Sequence, residues 1–209
     1  YTTRFRVGIN NNLPKSVAQR LLASCLQLPE HPVHLIIQED NNERLIADLS
    51  LHHLDLVLTD SPVGLAANMK LESVPLGSSG VSLMASPRLA AHHLLDFPNS
   101  LQGAPMLLPD PESAMRPLID QYLASLGVRP RVVAEFGDSA LMKSFGRDGA
   151  GIFPVPALVE TEVATRYGVL CLGRLEGVAE RFYAVLDPGR RSNPAVQAVL
   201  REAEKFFQK

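Results

Sequence analysis

Short apolar strands alternate with amphipathic stretches of helix length along this chain. Residues 4–9 predict a strand, because apolar and polar side chains alternate there with a period of two. Pro14 then opens a helix at a position where its missing N–H costs nothing. The side chains that we expect these two elements to bury are Phe5, Val7, Ile9, Val17, Leu21, Leu22 and Cys25.

The alternation continues through residue 58. Residues 33–37 predict a second strand, and Asn41 or Asn42 can cap the helix that follows it. The apolar positions of that helix are Leu45, Ile46 and Leu49. Residues 54–58 predict a third strand that is nearly continuous in apolar side chains, which is typical of a strand covered on both faces.

The same order of elements returns in the second half of the chain. Strands are predicted over residues 105–108, 131–136 and 151–153. The helix after the first of these is capped by Ser113, ends at Gly127 and turns five side chains inward: Met115, Leu118, Ile119, Tyr122 and Leu126. Asp138 caps a helix that Gly146 stops, and Asn193 with Pro194 signals the last helix. This order predicts an α/β chain with predominantly parallel sheets.

Two short segments bounded by glycine, Gly77 to Gly80 and Gly173 to Gly177, lie between predicted strands. If both are crossovers, residues 1–77 with 177–209 form one lobe and residues 80–173 form the other. Glycine lets the backbone absorb the change of φ and ψ at a hinge. The same glycines also fit ordinary turns, and the pattern alone does not separate the two interpretations.

Composition narrows the class of protein. The chain has 209 residues, 46% of them apolar, and a net charge of −2, so it can bury a core and lacks the basic surplus of a nucleic-acid-binding segment. No apolar run is long enough to span a membrane. Tyr1 and the residues after it show neither Met nor a secretory signal, so we expect a chain cut from a longer one. Two distant cysteines favour a reducing cytoplasm over a disulfide framework.

The sequence shows no enzyme motif. It has no G-x-G-x-x-G after the first strand, no P-loop, no G-x-S-x-G and no H-E-x-x-H, so we expect no catalytic residues and no cofactor. His52–His53 and His92–His93 are adjacent pairs, whose side chains on a helix point about 100° apart and chelate a metal poorly. We therefore expect solvated helix ends there, although any of the six histidines could couple the protein to pH.

Polar side chains cluster where predicted strands end and helices begin. In open parallel sheets, ligands bind at these strand ends and helix N-termini. Any single one of these residues fits a helix cap equally well, and only their collective placement favours a ligand site. They are Asn10, Asn11, Asn12, Asn41, Asn42, Thr59, Asp60, Ser61, Asp110, Glu112, Ser113, Gly137, Asp138 and Ser139.

Several motifs, taken in order and spacing, resemble the effector-binding domains of LysR-type regulators. Those of the second lobe are GAPMLLP at 103–109, residues 113–116, LGVRP at 126–130 and GAGIFP at 149–154. Those of the first lobe are the strand at 4–9, Gln38–Glu39 before the Asn41 helix, and HLDLVL at 53–58. The resemblance covers essentially the whole chain. Residues 135–146 and 59–62 are similar to the subgroup that activates sodium/proton antiporter genes.

This resemblance implies a two-lobed fold like that of type II periplasmic binding proteins. Each lobe would be a central, mainly parallel sheet flanked by helices, and two hinge crossovers at Gly77, Gly80, Gly173 and Gly177 would join the lobes. It also implies an N-terminal DNA-binding winged helix-turn-helix that this chain lacks. Family members bind an effector in the inter-lobe cleft and assemble as dimers and tetramers on a promoter. Helices 14–28 and 114–126 correspond to the dimer face.

The effector positions that the resemblance implies form one set, namely Asn10, Asn11, Asn12, Asn42, Thr59, Asp60, Ser61, Asp110, Glu112, Ser113, Ala114, Phe136, Gly137, Asp138, Ser139, Phe153 and Pro154. Many relatives have Ser or Thr at the first two places, which suits organic carboxylates. Amide and carboxylate oxygens here suit a hard cation instead. We therefore expect a cleft tuned to sodium or another cation, with Asp60 and Asp138 as candidate ligands; a small organic metabolite is the alternative effector.

Two other classes of protein share this architecture. A periplasmic solute-binding protein would carry a secretory signal and is usually longer. A short ATP phosphoribosyltransferase needs a glycine- and threonine-rich phosphate loop, and Asp138-Ser-Ala-Leu is not one. The resemblance therefore favours a cytoplasmic transcription regulator that is not an enzyme.

Overall fold

The computed structural model describes residues 2–63 and 70–208. The chain forms two compact units. Unit 1 comprises Tyr1–Ser78 and Arg181–Lys209, and unit 2 comprises Ser79–Glu180. Among the described residues, no helix is both long and apolar enough to cross a membrane.

Strands and helices alternate through most of the described chain, which confirms the α/β prediction. The strands are β1 (Thr3–Asn10), β2 (Val33–Asp40), β3 (Leu56–Thr59), β4 (Glu72–Ala85), β5 (Pro105–Pro109), β6 (Arg131–Phe136), β7 (Phe153–Pro156) and β8 (Leu170–Leu186). The helices are α1 (Lys15–Ala23), α2 (Asn42–Ser50), α3 (Pro87–His93), α4 (Met115–Leu126), α5 (Ser139–Arg147), α6 (Glu160–Tyr167) and α7 (Pro194–Phe207).

Unit 1 is built on a sheet with strand order β2-β1-β3-β8. β1 is parallel to β2 and to β3, whereas β8 is antiparallel to β3. Because the carboxyl ends of parallel strands share one edge of a sheet, the ends of β1 and β3 lie side by side. The core of this unit includes the side chains predicted for β1 and α1, with Phe5, Val7, Val17, Leu21 and Cys25 almost fully buried.

Unit 2 contains two strand pairs. β5 runs parallel to β6, β4 is antiparallel to β7, and a parallel bridge joins Met106 to Ile152. α4 contributes Met115, Ile119 and Leu123 to the core. Leu126 was expected in the same core, but it lies in the last turn of the helix and is 41% exposed.

The glycine-bounded segments lie inside strands rather than between them. Gly77 and Gly80 belong to β4, and Gly173 and Gly177 to β8. Close packing explains two of the glycines: a Cβ on Gly77 would lie 2.2 Å from Cγ of Phe207, and one on Gly173 would lie 2.5 Å from Cε1 of Phe97. A hinge function of these glycines stays a prediction.

Gly146 does not stop α5, which continues to Arg147. A Cβ on Gly146 would lie 2.2 Å from Cδ1 of the fully buried Phe153 ring. The prediction of a helix stop was therefore wrong, because this glycine makes room for an aromatic ring inside the helix face instead of supplying a left-handed end. Gly127, with φ of 67°, does end α4 as predicted.

Candidate functional site

Three polar side chains of unit 1 form one hydrogen-bonded cluster at the carboxyl ends of β1 and β3. Asn10 Nδ2 donates to Asn42 Oδ1 over 2.5 Å, and the Thr59 hydroxyl donates to the same oxygen over 2.7 Å. Asn10 and Thr59 are 5% and 1% exposed. The structure thus brings together three residues that lie far apart in sequence, as the sequence predicted from their positions at element ends.

Asn42 is available for this cluster because Asn41, not Asn42, caps α2. Asn41 Oδ1 accepts a hydrogen bond from Arg44 N over 2.9 Å. Asn42 becomes the first residue of the helix, and its side chain turns to Asn10 and Thr59. With two donors on Asn42 Oδ1, the Nδ2 group of Asn42 is the part of the amide left to donate.

Most of the neighbouring polar residues form hydrogen bonds within the turns in which they lie. Asn10 Oδ1 accepts from Asn12 N over 2.7 Å, and Thr59 Oγ1 accepts from Ser61 N over 3.2 Å. The Ser61 hydroxyl donates to Asp60 Oδ1 over 3.3 Å, and Asp60 is 4% exposed. Asn11 donates its backbone N–H to the Asp40 carbonyl over 3.1 Å.

A groove of about 440 Å³ opens beside Asn42. Its walls are the exposed side of α2 and the segment after β3, with the lining residues Asn42, Glu43, Ile46, Ala47, Ser50, Ser61, Pro62 and Val63. Ile46 and Ser50 of this groove are not among the predicted site residues. They follow Asn42 at intervals of four, so the helical period could have found them.

In unit 2, the predicted residues occupy two turns that touch each other. Asp110 N donates to the Phe136 carbonyl over 2.9 Å, and Asp110 Oδ1 accepts from Glu112 N over 3.0 Å. A Cβ on Gly137 would lie 3.3 Å from Asp110 Oδ2, so the absence of a side chain lets the carboxylate approach. Ser113 is buried, and its hydroxyl accepts from Arg116 N over 3.2 Å.

The second of these turns opens α5. Asp138 caps the helix, with its Oδ1 accepting from Ala140 N over 2.7 Å. Ser139 follows as the first helical residue, and its buried Oγ has no hydrogen-bond partner in the structure. Phe136 is 8% exposed and packs against Phe145, with ring centroids 5.4 Å apart.

Phe153 and Pro154, which the resemblance placed at the effector, are both buried in β7. Phe153 has no exposed surface and packs against the backbone of Gly146. Phe153 packs on α5 within unit 2, and a place for Phe153 and Pro154 at the effector stays a prediction.

Several side-chain oxygens of the unit 1 cluster and of the unit 2 turns already accept hydrogen bonds from within the chain. Asn10 Oδ1, Asn42 Oδ1 and Asp138 Oδ1 each accept at least one. Within residues 2–63 and 70–208, no group of three or more His, Cys, Asp or Glu side chains is arranged to hold a metal ion. Asn42 Oδ1 accepts two hydrogen bonds, so a cation bound by that oxygen would have to displace one of them.

Two further grooves lie each between one helix and one strand. In unit 1, α1 and β2 enclose about 380 Å³ between residues that include Leu22, Leu26, Leu35 and Ile37. In unit 2, α4 and β6 enclose about 490 Å³ between residues that include Leu108, Leu123, Val128 and Val132. Ile37 and Val132 are 50% and 44% exposed. Each unit therefore presents an apolar helix–strand face.

The LysR substrate binding domain family matches residues 1–208. The chain belongs to this family. The transcriptional activator protein NhaR of Escherichia coli K12 is 30% identical over 195 residues, which are 93% of this chain and 64% of NhaR, and NhaR of Shigella flexneri matches equally. The chain thus spans less than two thirds of the length of these curated relatives.

Solved structures of LysR-type domains share the fold of this family member. The effector binding domain of QuiR, solved in complex with shikimate, superposes with a TM-score of 0.73 at 17% identity over 100% of this chain and 98% of its own. The regulatory domain of HypT from Salmonella typhimurium, solved with bound bromide, gives 0.72 at 15% identity over 99% and 96%. The predicted type II periplasmic-binding-protein-like fold is confirmed.

Proposed function

We propose that this chain is the effector-sensing and oligomerisation domain of a LysR-type, DNA-binding transcriptional regulator. It activates sodium/proton antiporter genes in the cytoplasm, in response to sodium, another cation or pH. The 30% identity to the activator NhaR over 93% of the chain carries this proposal. DNA contact belongs to a winged helix-turn-helix domain outside these residues, in keeping with the net charge of −2 here.

The two apolar helix–strand faces support self-association. Exposed contiguous apolar surface on a globular domain marks an interaction site. In this proposal α1 and β2 of one copy pack on α4 and β6 of a second copy, so that two equal contacts form around a twofold axis. Pairs of such dimers make the tetramer that binds a promoter.

The effector works by population shift. A ligand changes promoter geometry only through its difference in affinity between two conformations, and a nearly complete switch needs about 5.5 kcal/mol. One weakly bound monovalent ion supplies little of this free energy, so several sites in a dimer or tetramer supply it together.

The orientation of Asn42 favours a second candidate effector, a small organic carboxylate. Because Asn42 Oδ1 already accepts two hydrogen bonds, Nδ2 is the part of this amide left to donate, at the first residue of α2. Donors at a helix N-terminus attract anions, whereas a cation needs free oxygens.

Asn42→Asp separates the two effectors by isothermal titration. The variant exchanges the amide donor for a carboxylate oxygen, so sodium affinity should rise at least severalfold if the effector is a cation. Affinity for an organic acid should be lost if the effector is a carboxylate. Sodium chloride is titrated against choline chloride at equal ionic strength, and carboxylates such as shikimate and succinate are titrated separately.

Asn41→Asp is the matched control, because aspartate also caps a helix and position 41 does not join the Asn10–Thr59 cluster. Tight carboxylate binding by the wild-type chain with no sodium effect would exclude the cation response. A chain that binds neither ligand and stays monomeric would contradict the proposed sensing function.

A further inference from the structure

One arginine of unit 2 holds three elements together behind the two predicted effector turns. Arg116 lies in the first turn of α4, and its side chain is 15% exposed. Its Nη1 donates to the carbonyl of Pro109, the last residue of β5, over 3.0 Å and also to the Glu135 carboxylate of β6. Its Nε donates to Asp120 in the next turn of α4, over 3.1 and 3.2 Å to the two oxygens.

The points that Arg116 holds are where the two turns begin. Asp110 follows Pro109 directly, and Phe136 follows Glu135 directly. The turns are joined to each other by Asp110 N and the Phe136 carbonyl, and Asp110 Oδ2 lies against Gly137. The spacing between Asp110 and the start of α5 therefore depends on how β5, β6 and α4 are held together.

The guanidinium group is suited to this task. It is planar, always charged, and presents several donors in fixed directions, so it can bind a carbonyl and two carboxylates at once. Hydrogen bonds to charged partners are stronger than neutral ones and keep their geometry better. A lysine at this position could make one or two of these contacts from a flexible stem, but not all of them.

We propose that Arg116 is a positioning residue for the predicted effector residues of unit 2. It sets the distance between the Asp110–Ala114 turn and the Phe136–Ser139 turn without touching the ligand. This assignment rests on the proposed function, since it is the effector that gives the spacing of the turns its importance.

Amide hydrogen exchange on the full 209-residue chain tests the positioning without any ligand. In Arg116→Met, the amides of residues 110, 112–114 and 136–140 should exchange about tenfold faster, as expected for losing a charge-assisted hydrogen bond. The Leu107 amide, which donates to the Ile152 carbonyl over 2.8 Å, should keep its rate. Arg116→Lys should retain part of the protection.

Arg174→Met is the control, because it removes an exposed ion pair with Glu160 in the same unit. It should leave both turns unchanged. Unchanged exchange in the turns of Arg116→Met would overturn the proposal. An equal acceleration at Leu107 would also overturn it, because Arg116 would then only stabilise the unit as a whole.

Sodium chloride titrations of the same amides, against choline chloride, test the link to the effector. The midpoint of a sodium-dependent shift should move about tenfold in Arg116→Met and much less in Arg116→Lys. Equal midpoints in all variants would contradict the positioning function. If the amides of the wild-type chain do not respond to sodium, the proposed sodium response is contradicted. The exchange rates of the two turns in Arg116→Met still test the positioning function of Arg116.

Discussion

Asn41 and Asn42 are chemically identical neighbours with different tasks. Asn41 caps α2 through Arg44 N, and Asn42 joins Asn10 and Thr59. Local sequence permits either residue as the cap, because asparagine stabilises helix N-termini wherever its backbone is extended. The contacts of Asn42 with two strands decide the assignment. A prediction from local sequence identifies the pair, but it cannot say which asparagine caps the helix and which one contacts the strands.

Asp55 is a buried carboxylate that two arginines satisfy. It is 4% exposed, and it accepts from Arg6 N over 2.8 Å and from Arg190 Nη1 over 2.9 Å. Asp55→Ala should lower the free energy of unfolding by about 2 kcal/mol, because it leaves the backbone amide of Arg6 without its acceptor and removes the charged partner of Arg190. Urea unfolding measures the change. Asp148→Ala, at an exposed ion pair, should cost well under 1 kcal/mol; equal losses would contradict the buried role of Asp55.

Gly146 tests the packing of α5 on β7. Alanine would gain about 1 kcal/mol of helix propensity at this helical position. Its Cβ, however, would meet the Phe153 ring at 2.2 Å in a core that cannot expand freely. We expect Gly146→Ala to lower the free energy of unfolding by about 2 kcal/mol. Gly80→Ala is the control, since the nearest atom to its Cβ would lie at 3.7 Å. A Gly146→Ala variant that is more stable than the wild-type chain would contradict this packing function, and would show that the glycine only lowers the helix propensity.

At the scale of elements, the hydrophobic period was a better guide to the buried faces than to the exposed ones. β1 and α1 bury the side chains that their periods predict. β2 and β6, by contrast, carry Ile37, Val132 and Val133 in exposed positions. An apolar side chain that faces a second copy gives the same sequence signal as one that faces the core, and only the folded unit separates them.

The exposed faces lead to a prediction about assembly. Ile37→Asp places a charge in the α1–β2 groove and should convert the proposed dimer to a monomer, because an unpaired charge at a buried interface costs several kcal/mol. Val132→Asp should do the same from the α4–β6 groove. Sedimentation equilibrium measures the dissociation constant. Leu51→Asp, at a residue that is 64% exposed and lines neither groove, should leave it unchanged. Persistence of the dimer in both groove variants would rule out these faces.

At the scale of the whole molecule, the pH dependence of stability should reveal two thiols, the buried Cys25 and the half-buried Cys171. Burial raises the pKa of Cys25 to about 11, and burial together with Glu160 raises the pKa of Cys171 to about 11. An ordinary cysteine has a pKa of 9.0. The unfolded chain therefore releases these protons at lower pH than the folded chain does. Stability from the protonated thiols is fully present below pH 9 and is lost as the pH rises toward 11.

Urea midpoints between pH 8 and pH 11 test this linkage. The free energy of unfolding should fall more steeply with pH in the wild-type chain than in the Cys25→Ala, Cys171→Ser double variant. The comparison of slopes removes the contribution of lysine and tyrosine, which titrate in both chains. Equal slopes would contradict the raised thiol pKa values.

The sequence alone determined the order of the elements from β1 to β3 and from β5 to β7, the last helix, the caps of α5 and α7, the buried positions of β1 and α1, and the resemblance to LysR-type domains. The elements, the caps and the buried positions depend on residues close together along the chain, and the resemblance depends on the order and spacing of short motifs. The tertiary structure decided which asparagine binds Thr59, why Gly146 lies inside a helix, which apolar faces stay exposed, and which strands Arg116 joins. Those features depend on contacts between distant segments, so no local period or motif carries them. The net charge of −2 argues only against DNA binding by these residues, and the DNA-binding activity that we propose belongs to another domain.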